Sequence, residues 1–207
     1  MKFTILVENV KNMEDKTWSV GPEVRKIIYQ IVKTGIHKNI LEIGCYNGYS
    51  TSAFVDALTD GTYFKLTLCD IDIKPSVINL AKKHPNKISI KNSTSVEVLK
   101  NCCDYDLIFV DGDHSISVVG HELMFLLKNN PKTIIAHDTM TPRTPGSMLL
   151  KQIYDNHKDY YGITLFNPKI EFLNYGTSFY SKEKIIIEKI SQIIEEVLKI
   201  KTHKCFL

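Results

Sequence analysis

The chain has 207 residues, of which 43% are hydrophobic, and a formal net charge of +3. This length and apolar content suffice for one domain with a sizeable core. The basic residues are spread along the chain and form no single stripe, which argues against nucleic acid as a partner. The first twenty residues hold charged side chains such as Glu8, Lys11 and Glu14 and no long apolar run. We therefore expect no signal peptide and no membrane partner, and we predict a cytoplasmic protein.

From the N-terminus onward, helical and extended patterns alternate. The stretch "GPEVRKIIYQIVKTG" predicts a lead-in helix over about 21–35 because its branched apolar residues recur at helical spacing. Five short apolar runs follow as strand candidates, namely "NILEIG", "YFKLTLCD", "KISIKN", "YDLIFVDG" and "KTIIAHD". Helical patterns cover 50–58, 75–83, 96–100, 118–127 and 147–156. Strands rich in Ile, Val, Leu and Phe that alternate with helices predict an α/β fold, a doubly wound, Rossmann-like and mostly parallel sheet with helices on both faces.

The C-terminal part departs from this alternation. The stretch "YGITLFNPKIEFLNYGTSFYSK" contains two extended runs without a helix between them, which predicts an antiparallel pair that finishes the sheet. We expect the core of one domain to end near residue 181. Residues 182–201 form an amphipathic helical pattern with Ile186, Ile190, Ile193 and Val197 on one face. This face predicts either packing on its own domain or a contact within a homodimer.

The first strand candidate ends in a glycine-containing turn, "LEIGCYNGYST". Ligands of doubly wound sheets bind beyond the carboxyl ends of the strands, and a β-carbon at Gly44 or Gly48 would obstruct the ligand or the turn. Tyr46 stands where a dinucleotide fingerprint has its second glycine, which makes a dinucleotide less favoured. Asp70 ends the next strand, in "LTLCDID", where a carboxylate can accept hydrogen bonds from both hydroxyls of a ribose. These features are compatible with a nucleoside that lacks phosphate, and alternatively with a purely structural turn, since many α/β turns need glycine and many strands end in Asp.

Four motifs in this order, "LEIGCYNGYST", "LTLCDID", "YDLIFVDGDHS" and "IIAHDT", resemble the class I S-adenosylmethionine-dependent methyltransferases. Among these, the chain is most similar to the small-molecule O-methyltransferases that act on sugars. The resemblance implies that S-adenosylmethionine is the cofactor, with Glu42 and Gly44 at its methionine end and Asp70 at its ribose. It also implies that Ser95, in "KNSTS", lies near the adenine. An alternative for Ser95 is the N-cap of the helix that starts at Val96.

Acidic residues also follow the fourth and fifth strand candidates. Asp111 ends "LIFVD" and Asp138 ends "TIIAHD", so both carboxylates should face the crevice of the glycine turn. Two neighbouring carboxylates repel one another unless a proton or a cation lies between them, and Mg²⁺ prefers carboxylate oxygens. The resemblance also implies that Asp111 and Asp138 are metal ligands. His137 stands where metal-dependent members often have Glu, so it either supplies a nitrogen ligand or stays out of the metal shell. Without a metal, the carboxylates would only cap helices and bind solvent.

A hydroxyl acceptor holds its proton tightly, so its methylation requires a base, a Lewis acid or both. His114, three residues after Asp111, is the candidate base, because an imidazole titrates near neutral pH. His121, on the following helix, is interpreted as structural. The segment "TMTPRTPGS" at 139–147 has two prolines and a glycine, which are typical either of a lid over the acceptor or of an ordinary loop.

The sequence therefore predicts an S-adenosylmethionine-dependent O-methyltransferase that acts on a sugar or another small polyol. A catechol or another phenol is the alternative acceptor. A nicotinamide-dependent oxidoreductase would account for the sheet and for Asp70, but it leaves Asp111, His114 and Asp138 without a role. A binding protein that has kept the scaffold without turnover is the third alternative.

Overall fold

The computed structural model describes residues 2–6, 20–100, 105–166, 175–199 and 205–206. Within these ranges the strands are β1 (Lys2–Leu6), β2 (Asn39–Ile43), β3 (Lys65–Asp70), β4 (Ile88–Asn92), β5 (Leu107–Val110), β6 (Thr133–His137), β7 (Tyr161–Phe166), β8 (Thr177–Ser181) and β9 (Cys205–Phe206). The helices are α1 (Pro22–Lys33), α2 (Tyr49–Thr59), α3 (Pro75–Ala81), α4 (Ser95–Leu99), α5 (Ile116–Asn129), α6 (Pro145–Asn156) and α7 (Lys184–Leu198).

The described strands form one sheet in the order β4-β3-β2-β5-β6-β8-β7-β1-β9. The strands from β2 to β6 pair in parallel, whereas β8 is antiparallel to both β6 and β7. The predicted fold class and the predicted antiparallel pair are therefore confirmed. The sequence patterns did not predict β1, which pairs in parallel with β7, or the short β9, which pairs with β1.

Helices cover both faces of the sheet. The apolar residues of α1, α2, α3 and α7 pack into one core cluster, and those of α4, α5 and α6 pack into a second cluster on the opposite face. The central strands β5 and β6 are buried along their whole length, as expected for strands covered on both faces. Because β2, β3, β5 and β6 run parallel, their carboxyl ends meet at one edge, and this edge gathers the predicted site residues.

The C-terminal helix packs on its own chain. Ile186, Ile190 and Ile193 are buried in the core cluster, and Val197 packs against it. This apolar face is thus covered within the chain, and the homodimer stays a prediction. In the part of the chain described here, no helix combines the length and the apolar character that a membrane span requires.

Candidate active site at the carboxyl ends of the strands

The glycine turn between β2 and α2 is shaped by close backbone contacts. Gly44 has φ +82°, and a β-carbon there would lie 2.0 Å from the carbonyl oxygen of Asp111. Gly48, the residue before α2, has φ +84°, and a β-carbon there would lie 2.8 Å from Cδ1 of Leu80. Residues with a β-carbon seldom adopt such angles. Packing against the end of β5 and against α3 therefore explains why both positions are glycine, independently of any ligand.

The Asp70 carboxylate closes this turn. Its Oδ2 accepts hydrogen bonds from the backbone N–H groups of Cys45 (2.8 Å) and Tyr46 (3.0 Å). Its Oδ1 accepts a third from the N–H of Asp72 (3.0 Å). A carboxylate offers about four acceptor positions, so these contacts take up most of them. Asp70 thus holds the turn in shape, besides lying where a ribose is expected.

Glu42 lies beneath the turn rather than on its surface. The side chain is fully buried, and its Oε1 accepts a hydrogen bond from the hydroxyl of Ser50 (2.5 Å). Burial outweighs this hydrogen bond and raises the pKa of Glu42 to about 8, so the carboxyl group carries a proton at neutral pH. Ser95 is the first residue of α4, and Thr94 caps that helix by accepting from the N–H of Glu97 (3.3 Å). The alternative of Ser95 as the N-cap was therefore wrong.

Two carboxylates and two imidazoles meet where β5 and β6 end. Nε2 of His114 lies 3.3 Å from Oδ2 of Asp138 and 3.7 Å from Oδ1 of Asp111. Nδ1 of His137 lies 2.8 Å from Oδ1 of Asp138 and 3.2 Å from Oδ1 of Asp111. Asp138 has φ +57°, a strained value for a residue other than glycine, at the point where the chain leaves β6. The predicted acids and both histidines therefore share one site.

The charges in this cluster are coupled. Burial would lower the pKa of His137, but the charges of Asp111 and Asp138 and the hydrogen bonds to them raise it to about 10. Burial would likewise raise the pKa of Asp138, but the hydrogen bond to His137 and the charges of both histidines hold it below its usual range. His137 is thus favoured as an imidazolium by the two carboxylates beside Nδ1, whereas its buried Nε2 has no partner among the described residues. A protonated His137 would offset the charge of the two carboxylates, a role that the sequence analysis assigned to a metal ion.

Asp111, His114 and Asp138 nevertheless fit a divalent cation. One ligand atom from each of the three lies within 4.8 Å of the others. Nδ1 of His114 is engaged by the hydroxyl of Ser147 at 2.7 Å, so Nε2 is the nitrogen that faces the carboxylates. A lone pair on Nε2 would be repelled by two carboxylate oxygens unless a proton or a cation lies among them. Two carboxylates and one imidazole suit Mg²⁺ or Mn²⁺, and the nitrogen also admits a transition metal.

The segment 139–147 joins these groups. The hydroxyl of Thr144 donates to the carbonyl oxygen of Asp138 (2.5 Å), and the N–H of Gly146 donates to the carbonyl oxygen of His114 (2.8 Å). Thr139, Thr144 and Gly146 are buried. Of the two interpretations offered for this segment, the packing favours an ordered connection that holds the ends of β5 and β6 together.

Comparison with known proteins points to one kind of domain. Residues 41–139 match a family described as a methyltransferase domain. This match agrees with the resemblance of the sequence motifs to class I S-adenosylmethionine-dependent methyltransferases. The matched residues run from β2 through β6, so they include the glycine turn, Asp70 and the cluster at Asp111 and Asp138. Curated proteins gave no match to the sequence.

Several solved structures share the fold of this chain. A Klebsiella pneumoniae protein described as an O-methyltransferase superposes with a TM-score of 0.64 at 18% identity, over 80% of this chain and 82% of that one. The Bacillus cereus O-methyltransferase in complex with S-adenosylhomocysteine gives 0.61 at 20% identity, over 79% and 82%. The O-methyltransferase TomG from Streptomyces achromogenes, solved with S-adenosylmethionine, gives 0.61 at 15% identity, over 79% and 81%.

The structure also adds residues that the sequence interpretation missed. Ser147, which contacts His114, was assigned only to the predicted helix that begins there. His137 was weighed as a metal ligand, whereas its Nδ1 lies between the carboxylates as a counter-ion. The spacing between residues 114 and 147 contains no hint of the pairing.

Proposed function

We propose that this protein transfers the methyl group of S-adenosylmethionine to a hydroxyl oxygen of a small molecule, a sugar or another polyol. The cofactor lies over the turn of Gly44 and Gly48, with its ribose at Asp70 and its adenine toward Ser95. One observation carries the proposal: the carboxylates of Asp111 and Asp138 and the imidazole of His114 converge beside that turn. In this proposal the acceptor lies next to the two carboxylates, the imidazole of His114 and the methyl group of the cofactor.

The reaction needs positioning and proton removal. The acceptor oxygen attacks the methyl carbon in line as the carbon–sulfur bond breaks, which leaves S-adenosylhomocysteine with a neutral thioether. In this proposal His114 accepts the proton that the hydroxyl loses, at Nε2. Near-attack placement of the two reactants supplies much of the acceleration in such displacements.

A divalent cation is the second part of the proposal. Asp111 and Asp138 would hold it, and the Nε2 lone pair of His114, which faces the same position, would serve either the cation or the proton but not both at once. When bound, such a cation acts as a Lewis acid that makes the hydroxyl of the acceptor easier to deprotonate. His137, charged and buried beside both carboxylates, stays outside the ligand set and offsets one of their charges.

A phenol, such as a catechol, is the second candidate acceptor, and one observation favours it. A groove of about 660 Å³ adjoins Thr139, and its described lining includes the apolar side chains of Ile116, Met140, Pro145 and Met148. An aromatic ring would bury apolar surface against these side chains, while Lys151, Gln152, Asp155 and Asn156 line the rest of the groove.

Isothermal titration calorimetry with S-adenosylhomocysteine and with NAD tests the cofactor. We expect binding of the first and none of the second, and the reverse result would contradict the proposal. A screen of sugars, polyols and phenols with a labelled methyl donor then tests the acceptor class. With a verified acceptor, activity should be lost in chelator and return with Mg²⁺ or Mn²⁺. Full turnover in chelator would eliminate the cation.

A further inference from the structure

Ser147 brings a buried hydroxyl to the ring of His114. It is the third residue of α6, its side chain is 5% exposed, and its Oγ lies 2.7 Å from Nδ1 of His114. His114 belongs to the connection after β5, whereas Ser147 follows β6. The contact therefore joins two strand ends through the imidazole ring.

Main-chain contacts fix the distance between these two residues. The N–H of Gly146 donates to the carbonyl oxygen of His114 (2.8 Å). A β-carbon at Gly146 would lie 2.6 Å from that oxygen and 2.5 Å from the carbonyl oxygen of Ser115. The start of α6 is thus in backbone contact with the segment that carries His114. Ser147, the next residue, reaches Nδ1 without depending on a long flexible side chain.

A serine hydroxyl suits this position because it both donates and accepts. When Nε2 carries the proton, Nδ1 is an acceptor and the hydroxyl donates to it. When Nδ1 carries the proton, the hydroxyl accepts, and the Nε2 lone pair faces Asp111 and Asp138. The ring keeps its orientation in both tautomers. An alanine would leave Nδ1 without its partner and the ring free to rotate about its side-chain bonds.

We propose that Ser147 is the positioning residue of His114, which holds Nε2 toward Asp111 and Asp138 in either tautomer. The orientation is a property of the protein alone, and only its use in proton transfer or cation binding rests on the proposed function. Partners of this kind, which hold the second ring nitrogen of a histidine, typically change metal affinity by about 10- to 100-fold when removed.

Long-range ¹⁵N–¹H correlation spectra of the metal-free protein at one fixed pH test this orientation, with His114 assigned through His114→Gln. We expect Ser147→Ala to shift both ring nitrogen signals of His114, and Ser147→Thr to restore them. The matched control is Thr59→Ala, which removes a hydroxyl that lies 2.9 Å from Nε2 of His84 at another surface. That variant should change the His84 signals and leave those of His114 in place.

Titration with Mn²⁺ gives the second measurement. Ser147→Ala should bind Mn²⁺ about 10- to 100-fold more weakly than the wild type, with unchanged affinity for S-adenosylhomocysteine. Unaltered His114 signals in Ser147→Ala would overturn the proposal. If the alanine variant does not fold, Ser147→Cys replaces it, because its thiol is a weak partner of similar shape. If the wild type binds no Mn²⁺, the cation in the proposed function fails, while the spectra still decide the role of Ser147.

Discussion

Replacing Gly44 by alanine should be much more costly than replacing a glycine of similar backbone angle elsewhere. Gly61 is the matched control, since it has φ +87° and a β-carbon there would meet nothing within 4 Å. An alanine in the left-handed region costs about 1–2 kcal/mol. The reduced freedom of the unfolded chain returns about 0.4–1 kcal/mol of this. Gly61→Ala should therefore destabilise the fold by about 1 kcal/mol or less.

Gly44→Ala carries the same strain and a clash besides. Its β-carbon would lie 2.0 Å from the carbonyl oxygen of Asp111 and 2.5 Å from its carbonyl carbon, and neither backbone atom can rotate away. Forced shifts of this kind typically cost about 1–3 kcal/mol and sometimes more. Because the approach of 2.0 Å is so close, we expect the clash at the upper end of this range and a total of about 3–4 kcal/mol, among the large effects of single substitutions.

Urea unfolding of both variants measures the difference, which should be about 3 kcal/mol, or roughly 6–12 °C in Tm for a chain of this size. Because the clash pushes on the backbone of Asp111, Gly44→Ala should also weaken Mn²⁺ binding, and Gly61→Ala should not. Equal stability of the two variants would show that β5 and the glycine turn are not in contact, and the packing described for this turn would be refuted.

Three further outcomes are expected. Asp70→Ala should weaken binding of S-adenosylhomocysteine by about 1.5–3 kcal/mol in calorimetry, and Asp72→Ala should not. A larger loss in Asp72→Ala would indicate that Asp72, and not Asp70, binds the ribose. For His137, the folded pKa of about 10 lies above the ordinary value of about 6.5, so its stabilisation is complete below pH ~6.5 and is lost as pH rises through 10. In chelator, the free energy of unfolding should thus fall by up to ~1.4 kcal/mol per pH unit across this window. The His137→Gln variant should lack this component. Parallel plots of stability against pH for the two proteins would count against the ion pair. His114→Ala should lose turnover by about 100- to 10,000-fold with cofactor affinity retained. Near-normal turnover would assign the base elsewhere.

The parts of the fold that local patterns encode were predictable. The alternation of apolar runs with helical periodicity predicted β2 to β6 and their helices. The signal was clearest for β5 and β6, since a strand buried on both faces must be apolar throughout. The strands β1 and β9 were not predictable in this way. β9 has two residues, and β1 has charged and polar residues near it, so neither pattern exceeds what a loop would show. β1 pairs with β7 and β9 pairs with β1, and these pairings depend on tertiary contacts that no local window contains.

The candidate site was likewise predictable only in part. The ends of parallel strands lie at one edge, and this rule alone predicted that Asp70, Asp111 and Asp138 would lie close to the glycine turn. This rule did not predict which hydrogen bonds these residues form or what those bonds hold in place. Asp70 holds the turn through three backbone N–H groups, and Ser147 holds His114 across 33 positions of the chain. Both contacts follow from how α2 and α6 dock, which the sequence pattern leaves open.

The hold of Asp70 on the turn has a consequence for how fast and how tightly a ligand can bind. Tyr46, at φ +40°, and its neighbour Cys45 donate to a carboxylate of their own chain. Ordering the backbone of a flexible residue costs about 1–2 kcal/mol, so a turn that its own chain holds in shape reduces the entropy that a ligand must lose on binding. Such bracing favours association with little rearrangement of this loop.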